Sequence, residues 1–352
     1  MSGVTSSVRR LVQAMPKAEL HLHLDGCLRL QTALDLAAEF GVDAPTTWDG
    51  MFDVLVAAEH PGSQAELLNS FVLPLKLMQR RAALTRITTD LVEDKAADNV
   101  RYMELKWAPA VHLEEGLTID EVVETVAAAA SAAADRLRVV VRLCVVAMRS
   151  HDPALNVEVA RSAVRHRDAG VSGFDLAGFE EADPDPTVHA AAFEVARGGG
   201  LGIAVHTGEL LDDGALVWRA LKLRPDRISH GACAAADPML VAELIARGIT
   251  LDLCPTSNVQ AGTVANFADH PLPALIRAGA PVTINTDDTT ISDITLSEEW
   301  LSCVRILGVT LPELWACNLH ALAVAFVDAA TRAELRAQFD EWAKRIPELH
   351  RD

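Results

Sequence analysis

Two histidines separated by a single residue, His21 and His23 in "AELHLHLDGCL" (18 to 28), have the spacing that most directly allows chemistry. In an extended strand, side chains at i and i+2 share a face, so both imidazoles point one way while Leu22 and Leu24 point the other. A third imidazole, His206, lies in "AVHTGE" (204 to 209), and two carboxylates, Asp287 and Asp288, end "TINTDD" (283 to 288). Three nitrogens and a carboxylate oxygen form a donor set open to water, suited to one Zn2+ or a related divalent ion. Adjacent carboxylates point in different directions, so one of Asp287 and Asp288 is expected to bind the ion. The other would orient water or substrate, or cap a turn. Such an ion lowers the pKa of bound water from about 16 towards roughly 7, which creates a nucleophile at neutral pH. That nucleophile needs proton carriers, and two are in reach: Glu209, three residues after His206, and His230 in "RISHGA" (227 to 232). The plainer alternatives are an exposed loop acid for Glu209 and a core histidine bonded to a carbonyl for His230.

These residues need elements that bring them to one place. Short apolar or β-branched runs recur at 18–24, 100–107, 138–146, 171–178, 201–208, 227–231, 249–255 and 281–287. Amphipathic stretches lie between them, among them "PTVHAAAFEVARGG", "DPMLVAELIARGI" and "HPLPALIRAGA", each with Gly near its end, where a helix C-terminus favours it. Eight strands alternating with helices predict an α/β fold, the (β/α)8 or TIM barrel, whose sites are built at the C-terminal strand ends. The chemistry-bearing residues above, with Gly178 after the fourth strand, occupy such ends.

Two additions to a minimal barrel are expected: helices inserted after strand one, roughly 29 to 99, and a C-terminal helical tail from about 294 to 350. The insertion carries Trp48, Met51, Phe52, Phe71, Leu73, Leu77 and Met78. Most of these should pack the extra helices together, with one or two covering the barrel mouth. No repeat of fixed period and no low-complexity linker interrupts the chain, so residues 1 to 352 are expected to form a single domain.

The 31 basic and 49 acidic side chains give a net charge of -18, which argues against nucleic acid or an anionic membrane as the main partner and favours a small molecule. The six cysteines are widely spaced with no C-x-x-C pair, so reduced thiols are expected rather than a disulfide framework or a cysteine zinc knot. Neither a signal-peptide apolar core nor an apolar run of membrane-spanning length is present, and a cytoplasmic location is expected. Nothing in the pattern specifies an oligomeric state.

With these motifs in hand, the chain resembles the adenosine deaminase family of the metal-dependent amidohydrolase superfamily. The resemblance runs in the family's order through "MPKAELHLHLDG" (15–26), "LVEDKAADNVRYMELKWAP" (91–109), "DLAG" (175–178), "HTGE" (206–209), "RISHG" (227–231), "CPTSNVQAG" (254–262) and "TINTDD" (283–288). It implies that His21, His23, His206 and Asp287 hold zinc and that Glu209 protonates N1 of a purine ring. It implies also that His230 positions and deprotonates the water, and that Asp288 helps hold that water and binds N7. Gly178 would donate its backbone N–H to N3, and Asp25 would bind the ribose 5'-hydroxyl. The implied reaction converts adenosine to inosine and ammonia. Relatives acting on free adenine usually read "HLHLEG", so the shorter Asp25 favours a nucleoside.

Three departures bear on the substrate's periphery: "DLAGFE" where the family commonly reads "DLAGDE", "HTGE" for "HAGE" and "NTDDT" for "NTDDP". Phe179, in place of a carboxylate, could stack on a larger substituent. A 5'-modified adenosine such as aminodeoxyfutalosine is therefore the alternative substrate, with adenine behind it. Cytidine-type zinc deaminases require P-C-x-x-C, which is absent. Two-metal hydrolases of the superfamily usually carry a lysine at strand four, and "VSGFDLAG" has none. An inactive nucleoside-binding barrel would be expected to lack Glu209, His230 or a ligand, and all are present.

Overall fold

The computed structural model describes residues 6–57, 63–210 and 214–350. Eight parallel strands follow one another around the barrel in chain order. They are β1 (Lys17–His23), β2 (Val100–Trp107), β3 (Val140–Met148), β4 (Val171–Ala177), β5 (Gly202–Thr207), β6 (Arg227–His230), β7 (Thr250–Leu253) and β8 (Val282–Ile284). All eight expected strands are present, with their ends displaced by up to a few residues. Their outward apolar side chains, including Leu20, Leu22, Leu105, Val145, Leu176 and Ile228, are buried in one cluster with the surrounding helices.

The last strands are shorter than the apolar runs suggest, for identifiable reasons. Pro255 ends the run after β7 because it starts the helix Pro255–Gln260, where a missing N–H costs nothing. After β8, the Asn285 side chain takes over from the ladder: its Oδ1 accepts from Leu20 N at 2.9 Å and from His21 N at 3.2 Å. The seam between β8 and β1 is then completed by a bridge from Leu22 to Asp287.

The insertion after β1 forms helices Leu30–Phe40, Trp48–Leu55, Gln64–Leu68, Val72–Leu77 and Arg81–Ala97. The tail contributes helices Leu296–Ser302, Leu311–Val324 and Ala329–Ala343. Met51, Leu73, Leu77 and Met78 are buried among other side chains, Trp48 is exposed, and Phe71 lines the cavity described below. None of the six cysteines is in a disulfide.

The barrel interior is not apolar throughout. Near its N-terminal end Arg227 is fully buried between Glu104 and Asp252, with its guanidinium also donating to Val324 O at 3.0 Å. One level higher, Lys106 donates to Asp175 and to Ser229 Oγ, the latter at 2.8 Å. A buried charge is tolerable only with such partners, because removing one partner typically costs about 3–5 kcal/mol. These layers form the floor beneath the predicted site.

Candidate active site

β1 presents His21 and His23 at the C-terminal rim. The His23 Nε2 atom lies 3.3 Å from His21 Nε2 and 3.0 Å from His206 Nε2, the latter at the end of β5. Asp287 Oδ1 lies 2.9 Å from His21 Nε2 and 3.4 Å from His23 Nε2. Backbone bonding fixes that carboxylate relative to the histidines: Asp287 N donates to His21 O at 3.1 Å, and His23 N donates to Asp287 O at 2.8 Å. Ser257 Oγ donates to Asp287 Oδ2 at 2.8 Å. Both Asp287 (φ 65°) and His230 (φ 72°) adopt the left-handed region, which costs a non-glycine residue about 1–3 kcal/mol each. The fold accepts that strain at two residues of the same cluster.

The donor set fits a divalent cation. Around a tetrahedral ion with bonds of about 2.0–2.1 Å, neighbouring donor atoms would sit about 3.3 Å apart. The donor separations in the structure, 2.9 to 3.4 Å, bracket that value. Burial pushes the His21 pKa well down and that of His23 to about 3, so both are neutral imidazoles, as metal ligands must be. His206 Nδ1 lies 3.0 Å from Asp175 Oδ2, so its proton belongs on Nδ1 and its Nε2 lone pair faces the other donors. Lone pairs directed at one another at this range repel unless a cation lies between them. His230 belongs to the same cluster: His21, His206, His230 and Asp287 form a buried group whose donor atoms all lie within 4.8 Å of one another, with His230 Nε2 3.6 Å from Asp287 Oδ2.

Beside the cluster, Glu209 is buried, and its carboxyl is pushed well above the ordinary range by desolvation and by the nearby Asp287 and Glu180 charges. Its Oε1 lies 3.4 Å from His230 Nε2. Its Oε2 accepts from Gln64 Nε2 at 2.8 Å. Gln64 comes from the insertion, and its Oε1 in turn accepts from Glu180 N at 3.1 Å. Glu180 fixes the loop that carries the acid, accepting from Thr207 Oγ1 at 2.5 Å, Gly208 N at 3.0 Å and Glu209 N at 3.1 Å. The alternative of an exposed loop acid for Glu209 is therefore excluded.

Asp288 packs against the turn that follows the two histidines, and a Cβ on Gly26 would overlap its carboxyl. Its Oδ1 is buried without a hydrogen-bond partner. Asp25 Oδ1 is likewise buried and unpaired, and burial raises the Asp25 pKa to about 6. Gly178, at φ 120°, ends β4 in a conformation that a side chain would strain, and its backbone borders the cavity.

One cavity brings these groups together. His23, His206, Glu209, His230, Asp287, Asp288 and Gly178 line it, under Gln64, Leu67, Leu68 and Phe71 of the insertion. His21 lies behind this wall and Asp25 beside it, neither among the lining residues. Phe179, half-buried, is not part of the lining. A larger cavity of about 720 Å3 opens near the N-terminal strand ends among Arg142, Asp226, Arg247 and Phe326. It contains no comparable convergence of metal donors with a buried acid of raised pKa, so chemistry rather than size selects the site.

A set of this kind at the C-terminal rim of a barrel, beside a buried acid whose pKa burial raises, places the molecule among the metal-dependent amidohydrolases. Residues 16–342 match the family model for adenosine deaminase, and the chain belongs to that family. It is 37% identical over 343 residues to an adenosine deaminase of Mycobacterium sp. (strain JLS), covering 92% of this chain and 94% of that one. Among solved structures, it is similar to an adenine deaminase from Arthrobacter aurescens, with a TM-score of 0.86, 26% identity, and coverage of 94% of this chain and 100% of that one. An amidohydrolase from Burkholderia ambifaria with bound Zn gives a TM-score of 0.88 at 27% identity, covering 98% of this chain and 96% of that one. No helix among the described residues is long and apolar enough to cross a membrane.

Proposed function

We propose that this chain, working as one barrel domain over residues 1–352, hydrolyses the 6-amino group of a purine nucleoside, converting adenosine to inosine and ammonia with one Zn2+. The observation that carries the reading is that Glu209, a buried carboxyl whose pKa burial pushes well up, lines the same small cavity as His23, His206 and Asp287, with His21 against Asp287 behind that wall. In this reading His21, His23, His206 and Asp287 hold the ion, which when bound supplies Lewis acidity towards water.

The remaining work belongs to the protein's own residues. Glu209 gives its proton to N1, which draws electrons from C6 and prepares that carbon for attack. Asp288 and His230 flank the position of the attacking water, and Asp288 also faces N7. Gly178 offers its N–H to N3, and Asp25 serves the ribose 5'-hydroxyl. As the water oxygen bonds to C6, the bond from C6 to the exocyclic nitrogen breaks. The two protons of water are shared between departing ammonia and the emptied Glu209, and N1 keeps the proton it received. Leu67, Leu68 and Phe71 cover the cavity and exclude bulk water, which strengthens every charge interaction inside.

The test is to incubate the purified metal-loaded protein with adenosine and follow inosine and ammonia together. Equal amounts of both products support the reading; no turnover of any 6-aminopurine would refute it.

A further inference from the structure

Three buried residues that the reaction scheme does not use form a directional chain ending at His230. Leu272 N, at the start of the helix Leu272–Arg277, donates to His270 Nδ1 at 3.1 Å. A backbone N–H can only donate, and the first N–H groups of a helix have no carbonyl partner within it. His270 Nδ1 is therefore the lone-pair nitrogen, and the proton of this imidazole sits on Nε2. That atom lies 3.1 Å from Asn258 Oδ1, which accepts it. The carboxamide orientation is thereby set, and Asn258 Nδ2 donates to His230 Nδ1 at 3.2 Å. Turning the Asn258 amide over would place its N–H against the His270 N–H, so the reversed arrangement fails at the backbone amide. Asn258, His270 and His230 are all buried, so water cannot readily substitute for a lost link.

We propose that Asn258 and His270 are positioning residues that hold His230 in the tautomer with its proton on Nε2. That nitrogen faces Glu209 Oε1 and Asp287 Oδ2. An imidazole held this way presents an N–H to the reaction centre. It orients the attacking water by donating to it and stabilises the negative charge that develops on oxygen, rather than taking the water's proton. The proposal rests on the deaminase reading for where His230 stands relative to substrate; the direction of the chain itself does not.

The test combines ring 15N NMR of histidine-labelled, metal-loaded protein with kinetics of three variants. The His230 resonances are assigned by comparison with His230→Gln. In the wild type, His230 Nε2 should give a protonated, pyrrole-type shift and Nδ1 an unprotonated, pyridine-type shift. Asn258→Asp offers only acceptors and should place a proton on Nδ1. It should also lower kcat roughly 10- to 100-fold with KM near the wild-type value, the size typical of losing a group that orients a catalytic ligand. His270→Leu should lower kcat in the same direction, whereas His270→Gln, which retains a donor for Asn258 Oδ1, should restore most of it. A wild-type His230 protonated on Nδ1 overturns the proposal, as does equal activity of His270→Leu and His270→Gln. If no 6-aminopurine is turned over, the deaminase reading fails on its own, while the wild-type 15N shifts still decide the tautomer.

Discussion

Gln64 Nε2 donates to Glu209 Oε2 at 2.8 Å, so a residue of the inserted helices is bonded to the acid of the barrel rim. Because Gln64 occupies Oε2, the carboxyl proton is directed to Oε1, the oxygen nearer His230. Gln64→Leu should therefore lower kcat more than it raises KM, by roughly two- to tenfold, since loss of a hydrogen bond to a neutral group costs about 0.5–1.5 kcal/mol. Steady-state kinetics with adenosine would check this. An unchanged kcat would show that the bond has no part in turnover.

The same carboxyl sets a pH limit. Burial, then the Asp287 and Glu180 charges, raise the Glu209 pKa well above the ordinary carboxylate range, so the proton that the proposed scheme gives to N1 is held to higher pH and lost as pH rises through the shifted value. The activity should fall on the alkaline side. Gln64→Leu removes a donor that favours the ionised form and should move that limb to higher pH. A limb at the ordinary carboxylate range would contradict the assignment.

Glu209→Gln should keep the bound metal and the fold while losing roughly 10²- to 10⁴-fold in kcat, the usual contribution of a general acid. Metal analysis and kinetics on the same sample separate the two effects. Near-wild-type turnover would identify another residue as the acid.

Chelation should abolish turnover and lower Tm, because the closely spaced donors of His21, His23, His206 and Asp287 lose the cation that reconciles them. Added Zn2+ should restore both. Full activity after verified removal of metal would exclude the proposed centre.

Gly26→Ala should cost about 100-fold in kcat/KM by displacing the Asp288 carboxyl, since a misplacement near 1 Å at a reacting centre has effects of that size. Circular dichroism would confirm that the barrel persists.

The barrel was legible because its strands are short apolar runs with polar residues at their C-terminal ends, and those ends converge by construction. His206 and Asp287 therefore meet His21 and His23 despite their distance in sequence. The inner polar layers carried a signal that the motif reading passed over: Tyr102, Glu104 and Lys106 alternate with apolar residues, as do Arg227 and Ser229, so period two alone turns them inward. Gln64 carried none. It precedes two leucines in a short helix, and only the folded insertion brings it to Glu209. Glu180 follows the conspicuous Phe179, yet the carboxylate, not the ring, organises the acid loop. Asn258 and His270 were hidden for a different reason, since hydrogen-bond direction has no sequence signature.

The central claim is tested most directly by comparing kcat/KM for adenine, adenosine, deoxyadenosine, AMP, S-adenosylhomocysteine, methylthioadenosine and aminodeoxyfutalosine with the metal-loaded enzyme. The account predicts that adenosine is deaminated with the highest kcat/KM and that adenine and AMP are poor substrates. A preference for adenine, AMP or a 5'-modified adenosine would contradict it.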